Sequence, residues 1–408
     1  MFYRRIAALT AVAAIALAAC SPAASTAPSA STGGGTETTA PASAPASAAA
    51  EKCVVGVSWN NFQQPRWAAK DRPSMQRVIT DAGGTFIDFD ANLSSTQQLT
   101  DVQTLINQGM KVLVLLAADD KVGAAAVKLA TDNGIPVIAY DRLIEDASTL
   151  YLSFNNTDVG VAEATAMLAK VPPGTTDKPA NYVLIKGHPG DANAKTFLPA
   201  GWDQAGLKAA VDAGTIKILN NPPDGTFTDD WDTTKAQNNM EAIIDAANQS
   251  KQKIDAVLAE NDSTALGVAN ALKAKSYGNV PISGQDGDTA NLQNVAAGIQ
   301  YVDVWKDANQ LGKAAGAAAL QLCEDPTIAN VKLPDGVVDA ASAPAKGNAV
   351  VDFTTPGGKT VKSLILTVQP VIQDSLQKIL DAKWLTKAVL CQKAILPENA
   401  ANAAAVCK

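Results

Sequence analysis

The sequence predicts an α/β protein built from two doubly wound parallel-sheet lobes. Three observations lead there. From Cys53 onward, short β-rich apolar runs alternate with helical segments. Several of the runs, Val112–Leu116 among them, are apolar at consecutive positions, as strands covered on both faces must be. The series also holds more strands than one sheet takes comfortably, and it restarts after Leu150–Phe154.

Ahead of this body lie two segments of different composition. Met1–Ala19 opens with Arg4 and Arg5 and then runs without charge from Ile6 to Ala19, the build of an export signal and too short for a membrane span. Residues 20–50 begin with Cys20 and continue in Ser, Ala, Thr, Pro and Gly with one acid, Glu37. Such a stretch buries too little to fold and reads as a tether reaching about 30 Å as a coil.

In the globular part, Val54–Trp59 reads as a strand, Pro65–Ala82 as a helix, Gly84–Asp90 as a strand and Ser95–Gln108 as a helix. Lys111–Leu116 and Pro136–Tyr140 are strands about the helix Lys121–Asn133. A first lobe boundary falls near Phe154–Asp158. The second series is strand Asn181–Lys186, helix Ala192–Ala213, strand Thr215–Leu219, helix Asp232–Gln249, strand Ile254–Ala259, helix Ser263–Lys275 and strand Val280–Gly284. Strand Ile299–Trp305 and helix Asp307–Glu324 follow, then irregular loop with edge strands over 325–362, an apolar run Ser363–Val371 and a helical tail.

Ligands of open parallel sheets bind beyond the carboxyl ends of the strands. Those places hold Arg66-Trp67, Asp141-Arg142, His188 to Asn193 with Asp191, Asn261-Asp262, Gln285-Asp286 and Lys306. Each can form paired hydrogen bonds, and they come from both halves of the chain. A sugar hydroxyl donates and accepts at once, so it needs such a mixture. Trp67 and Trp231 could cover the C–H faces of a sugar ring. Asp141, Asn261 and Asp262 would also serve as helix N-caps. Trp202 and Trp384 sit at helical spacing and read as packing residues, and the single histidine, His188, as a loop residue beside the site.

A formal net charge of −7, more acidic still without Met1–Ala19, argues against nucleic acid and against adhesion to anionic lipid. No GxGxxG or GxxxxGK[ST] follows a strand, and a metal centre or a Ser-His-Asp triad would have to be built around His188 alone, so no cofactor and no metal are expected. Cys53, Cys323, Cys391 and Cys407 allow three disulfide pairings.

The motifs Pro65-Arg66-Trp67, Ala139-Tyr140-Asp141-Arg142, Ser153-Phe154-Asn155-Asn156, Asp191-Ala192-Asn193-Ala194-Lys195, Glu260-Asn261-Asp262, Ser283-Gly284-Gln285-Asp286 and Val304-Trp305-Lys306 together resemble the D-xylose-binding group of the type 1 periplasmic sugar-binding proteins. The likeness spans Cys53–Asn309, and the tail falls outside it. It implies two lobes joined by a three-segment hinge, 51–156 with 299–355 and 157–298 with 356–408. It also implies sugar contacts from Arg66, Trp67, Asp141, Arg142, Asp191, Asn193, Trp231, Asn261, Asp286 and Lys306.

The end of the first run, Leu17-Ala18-Ala19-Cys20, resembles the lipobox of bacterial lipoproteins, which implies cleavage before Cys20 and a lipid on its thiol. The function expected is capture of a monosaccharide, D-xylose first, by an exported monomer lipid-anchored at the outer face of the cell membrane, or in the periplasm, and delivery to the permease of an ABC importer. A sugar sensor presenting its loaded form to a receptor, or a receptor for another small polar solute, is the alternative. A repressor of the same fold would need a DNA-binding head in place of the signal and tether. A glycosidase would need two of Asp141, Asp191 and Asp286 as an acid/base pair, but each stands beside a cation or amide suited to binding. With Cys53 opening the first strand and Cys323 ending a helix antiparallel to it in the same lobe, the pairs expected are Cys53–Cys323 and Cys391–Cys407.

Overall fold

Val112–Leu115 is buried at all four positions, so this strand must be covered on both faces. The computed structural model, which describes residues 52–408, places it inside a seven-stranded sheet. The signal segment, Cys20 and the tether lie outside the described residues. In chain order the strands are β1 Val54–Trp59, β2 Thr85–Asp90, β3 Val112–Leu115, β4 Val137–Tyr140, β5 Thr149–Phe154, β6 Ala180–Lys186 and β7 Ile216–Ile218. They continue with β8 Thr226–Phe227, β9 Ala256–Ala259, β10 Asp303–Trp305, β11 Val351–Thr354, β12 Thr360–Leu366 and β13 Gln369–Val371.

The first sheet runs β11-β12-β5-β4-β3-β1-β2, parallel except for β11 at one edge. Because β1 lies between β2 and β3, the winding reverses there and opens a crevice at the strand ends. The second lobe repeats the device: β6 is flanked by β7 and β9, both parallel, and Ile282 bridges Val257 beyond β9.

The chain passes between the lobes three times. After β5, helix Asn156–Lys170 packs Val159, Ala164 and Met167 against Tyr182 and Trp202 of the second lobe. After β10, helix Ala308–Glu324 returns Leu311, Ala315 and Leu322 to the core of Val55, Ile79 and Leu150. After β12, β13 pairs antiparallel with β10, and the tail packs Leu376, Ile379, Trp384 and Leu390 around Leu292 and Val295.

Two of these crossings fall later than the sequence places them. The return to the first lobe comes after Trp305 and not at 299, because Val304 bridges Gln285 and β10 holds β13. The last crossing comes after Leu366 and not at 356. Strand β5 is buried at all six positions and needs a neighbour on each side for its backbone, which β12 supplies.

Three elements also differ from expectation. The helix read over Ala192–Ala213 breaks at Gly206, whose φ is +105°. Val280–Gly284 forms a single bridge where a strand was expected. Helix Thr289–Ala297 was not foreseen: it is buried from Asn291 to Ala297 and carries three amide side chains, so it shows no amphipathic stripe.

Cys53, just before β1, is bonded to Cys323 near the end of helix Ala308–Glu324, and Cys391 to Cys407 in the tail. The first bond spans 270 residues of sequence. A Cys53→Ser/Cys323→Ser variant is therefore expected to lose about 2–5 kcal/mol in urea unfolding followed by tryptophan fluorescence. A loss within experimental error would mean that the bond does not restrain the unfolded chain.

Candidate ligand-binding site

Strand β1 leads into helix Arg72–Asp81 through a π-turn, Trp67–Asp71. In a regular helix, residues five apart point about 140° away from each other. The wider turn instead brings Asp71 to Arg66. The guanidinium donates from Nη2 to Oδ1 at 3.0 Å and from Nε to Oδ2 at 3.2 Å, and the Tyr140 hydroxyl donates to the same carboxylate. The second lobe has the same entry: beyond β6, Asn193–Phe197 is a π-turn leading into helix Leu198–Gln204.

Asp141 follows β4 and Asp286 follows the Ile282 bridge, at matching places in the two lobes. Both have left-handed backbone, with φ of +62° and +109°. For a residue with a Cβ this costs about 1–3 kcal/mol, and surrounding bonds must enforce it. Asp141 N–H donates to Leu152 and Asp286 N–H to Val304. The result is that Arg66 Nη1 lies 3.2 Å from Asp141 Oδ2 and 3.0 Å from Asp286 Oδ1, touching one carboxylate of each lobe.

A second pair crosses nearby. Arg142 Nε meets Asp191 Oδ2 at 2.9 Å, while its Nη1 donates to the carbonyls of Ala117 and Ala118. Asp191 is steadied in turn by the N–H of Asn193 at 2.9 Å. Lys306, on a crossing segment, places Nζ 3.8 Å from Asp286. All of these side chains are buried, so the lobes are closed on one another. Burial opposes the charge of Arg66, but Asp71, Asp141 and Asp286 outweigh it and hold its pKa well above the ordinary value. Burial pushes Asp71 up to about 6 despite the pull of Arg66 and the Tyr140 hydrogen bond.

Trp67 and Trp231 come from opposite lobes. Trp67 donates Nε1–H to Gln64, and the Arg66 guanidinium lies 4.2 Å from its ring centroid. Trp231 has φ +58° and follows Asp230, whose N–H donates to Nδ1 of His188 at 3.1 Å. The histidine expected beside the site thus holds the loop that presents Trp231. Gly187 is required below that ring, since a Cβ there would lie 2.2 Å from it.

All ten residues singled out from the sequence line one cavity, of about 280 Å³ including its open mouth. Gln64 and Gln285 line it as well; the sequence reading passes over Gln64, which directly precedes Pro65-Arg66-Trp67, and places Gln285 at a strand end without assigning it a sugar contact. Asn261 caps helix Asp262–Ala274 through Oδ1, and its Nδ2 lies 3.5 Å from Asp286 at the cavity. Asp141 and Asp262 cap no helix through their side chains. Trp202 is core, donating to Glu163, and Trp384 donates to the carbonyl of Gly287.

Five buried polar atoms of cavity residues have no hydrogen-bond partner within the described residues: the donors Gln64 Nε2 and Trp231 Nε1, and the acceptors Asn193 Oδ1, Gln285 Oε1 and Asp141 Oδ2, the last touching Arg66 as an ion pair. Unpaired buried groups of this kind cost about 1–3 kcal/mol each. A ligand carrying hydroxyls could satisfy both kinds. Among the described residues, no cluster of His, Cys, Asp or Glu could hold a metal ion.

A layer of acids underlies the Asp286 loop. Asp262 accepts from the N–H of Asp288 at 2.7 Å, and Asp303 accepts from the N–H of Gly287 at 3.2 Å. Burial and the neighbouring carboxylates push Asp262 well above the carboxyl range, and burial pushes Asp303 up to about 7.

A family model described as a periplasmic binding protein domain matches residues 55–326. The D-xylose-binding periplasmic protein of Escherichia coli is 36% identical over 300 residues, 72% of this chain and 86% of that protein. The multiple sugar-binding periplasmic receptor ChvE of Rhizobium radiobacter is 28% identical over 81% of this chain and 90% of its own length. A solved ABC transporter solute-binding protein of Clostridium phytofermentans with bound β-D-glucose is 29% identical. It superposes with a TM-score of 0.69, covering 83% of this chain and 99% of that one.

A carboxyl held above its ordinary pKa binds its proton more tightly folded than unfolded. Folding is then favoured as pH falls through the raised value, and the gain is complete below the unfolded carboxyl range. With Asp303 at about 7 and Asp71 at about 6, the melting temperature is expected to rise by roughly 3 °C or more between pH 8 and pH 5. Asp303→Asn should flatten the part above pH 6. A melting temperature that falls steadily from pH 8 to 5 would contradict these assignments.

Proposed function

The chain belongs to the periplasmic binding protein family, and from that premise we propose that it captures a monosaccharide between its lobes, D-xylose first, and delivers it to an ABC importer. It is an exported solute receptor of the sugar-binding class and not an enzyme. The observation that carries the sugar reading is the set of unpartnered donors and acceptors around a small cavity between two tryptophans. An amino acid would call for fixed charge recognition at two points, whereas here the cations and carboxylates already pair with each other.

In this reading Asp141, Asp191 and Asp286 accept from sugar hydroxyls, and Arg66, Arg142, Asn193, Asn261 and Lys306 donate to them. Trp67 and Trp231 cover the ring. D-xylose ranks first because the E. coli relative bears that name at 36% identity; an aldohexose ranks second, as the glucose-bound relative is 29% identical. The protein acts as a monomer, and Cys20 anchors it by lipid to the outer face of the membrane.

A thermal-shift screen of pentoses, hexoses, amino acids and nucleosides tests the ligand class. D-xylose should give the largest stabilisation, and a response confined to amino acids or nucleosides would sink the sugar reading. Asp141→Ala removes an acceptor without a hydrogen-bond partner at the cavity and one of the three carboxylates around Arg66. It should weaken D-xylose binding at least about a hundredfold by calorimetry; a loss under about threefold would remove Asp141 from the site.

The anchor has its own test. Cys20→Ser should release the protein from membranes; a variant that still sediments with membrane after a salt wash would exclude the lipid.

A further inference from the structure

The tail beyond β13 is packed on the second lobe, yet one of its residues reaches the first. Trp384 is buried, and its Nε1–H donates to the carbonyl of Gly287 at 2.7 Å, next to Asp286. Its ring meets Trp305 edge-on with centroids 5.5 Å apart, next to Lys306. Gly287 has φ +80°, and a Cβ there would lie 2.5 Å from Trp305, so this tryptophan pair and the Asp286 loop fit together only with glycine. Trp384 follows Lys383, itself at φ +55°, and the tail that carries it is closed by Cys391–Cys407.

From the first lobe comes Lys70, in the same π-turn that sets Arg66 and Asp71. Its Nζ donates to the carbonyl of Trp384 at 3.0 Å and lies 4.2 Å from the ring centroid. Lys70 and Trp384 line an opening between the lobes whose inner wall is Arg66, the residue at the centre of the cavity. Lys70 rides on one lobe and Trp384 on the other, so hinge opening must break their contact while leaving the cavity residues of each lobe unchanged.

We propose that the disulfide-stapled tail is a latch: Trp384 closes on Lys70 across the mouth of the cleft, and this pair sets how long the closed form holds its ligand. The pair touches no ligand. Trp384 is a positioning residue, acting through Gly287 on Asp286 and through Trp305 on Lys306. A contact made only in the closed form slows release and leaves encounter alone. The inference draws on the sugar reading only for the choice of ligand.

Stopped-flow fluorescence with D-xylose tests it. Lys70→Met should speed dissociation about tenfold, as loss of a cation–π contact and a charged hydrogen bond implies, with association changed less than about twofold. Lys70→Arg, which keeps charge and donors, should recover most of the slow release. A Lys70→Met dissociation rate within twofold of the unaltered protein would overturn the latch. If D-xylose gives no signal with the unaltered protein, the pentose reading fails and the latch is judged without sugar. Dyes on Lys128→Cys and Lys253→Cys, exposed positions in the two lobes, report closure by energy transfer. Lys70→Met should then lower the closed fraction, and an unchanged transfer efficiency overturns the proposal.

Discussion

A guanidinium cut off from water must be met by carboxylates, and that requirement at Arg66 organises the molecule. The side chain is 2% exposed and has Asp71 behind it, Asp141 beside it and Asp286 facing it from the other lobe. Together they replace the water that a buried guanidinium loses. The first lobe alone supplies two carboxylates. The third arrives only when the second lobe closes, so the charge pattern of the cleft is completed by closure. Arg142 and Asp191 repeat the arrangement across the same gap.

The fold serves this pattern twice over. Each sheet reverses its winding beside its first strand, and each first strand enters a helix through a π-turn. Each lobe then presents one aspartate in left-handed backbone. The strain in those aspartates is offset by bonds that have no part in recognition: the Asp286 loop rests on Asp262 and Asp303 below and on Trp384 behind. A site assembled on strained loops needs such a floor if it is to keep its geometry through opening and closing.

The winding of both lobes could be read in the sequence because buried parallel strands such as Val112–Leu115 are apolar throughout and helices separate them. The cavity residues were legible for a related reason: parallel topology puts strand ends on one face, so polar residues after strands converge. Asp71 was not legible, because a regular helix turns it away from Arg66, and only the π-turn brings the two together. Asp262 and Asp303 were hidden in another way, since acids near strand ends pass for caps until their burial is known. The lobe boundaries after 299 slipped because β12 pairs with β5, some two hundred residues earlier, a pairing no local pattern announces. The reach of Trp384 to Lys70 is equally non-local.

Closure around a ligand is the central claim, and small-angle X-ray scattering of the purified protein with and without saturating D-xylose tests it most directly. The radius of gyration should be smaller with sugar, as Arg66 and Arg142 come to face Asp286 and Asp191 across a filled cleft. An identical radius in both conditions, with sugar shown by calorimetry to be bound, would contradict it.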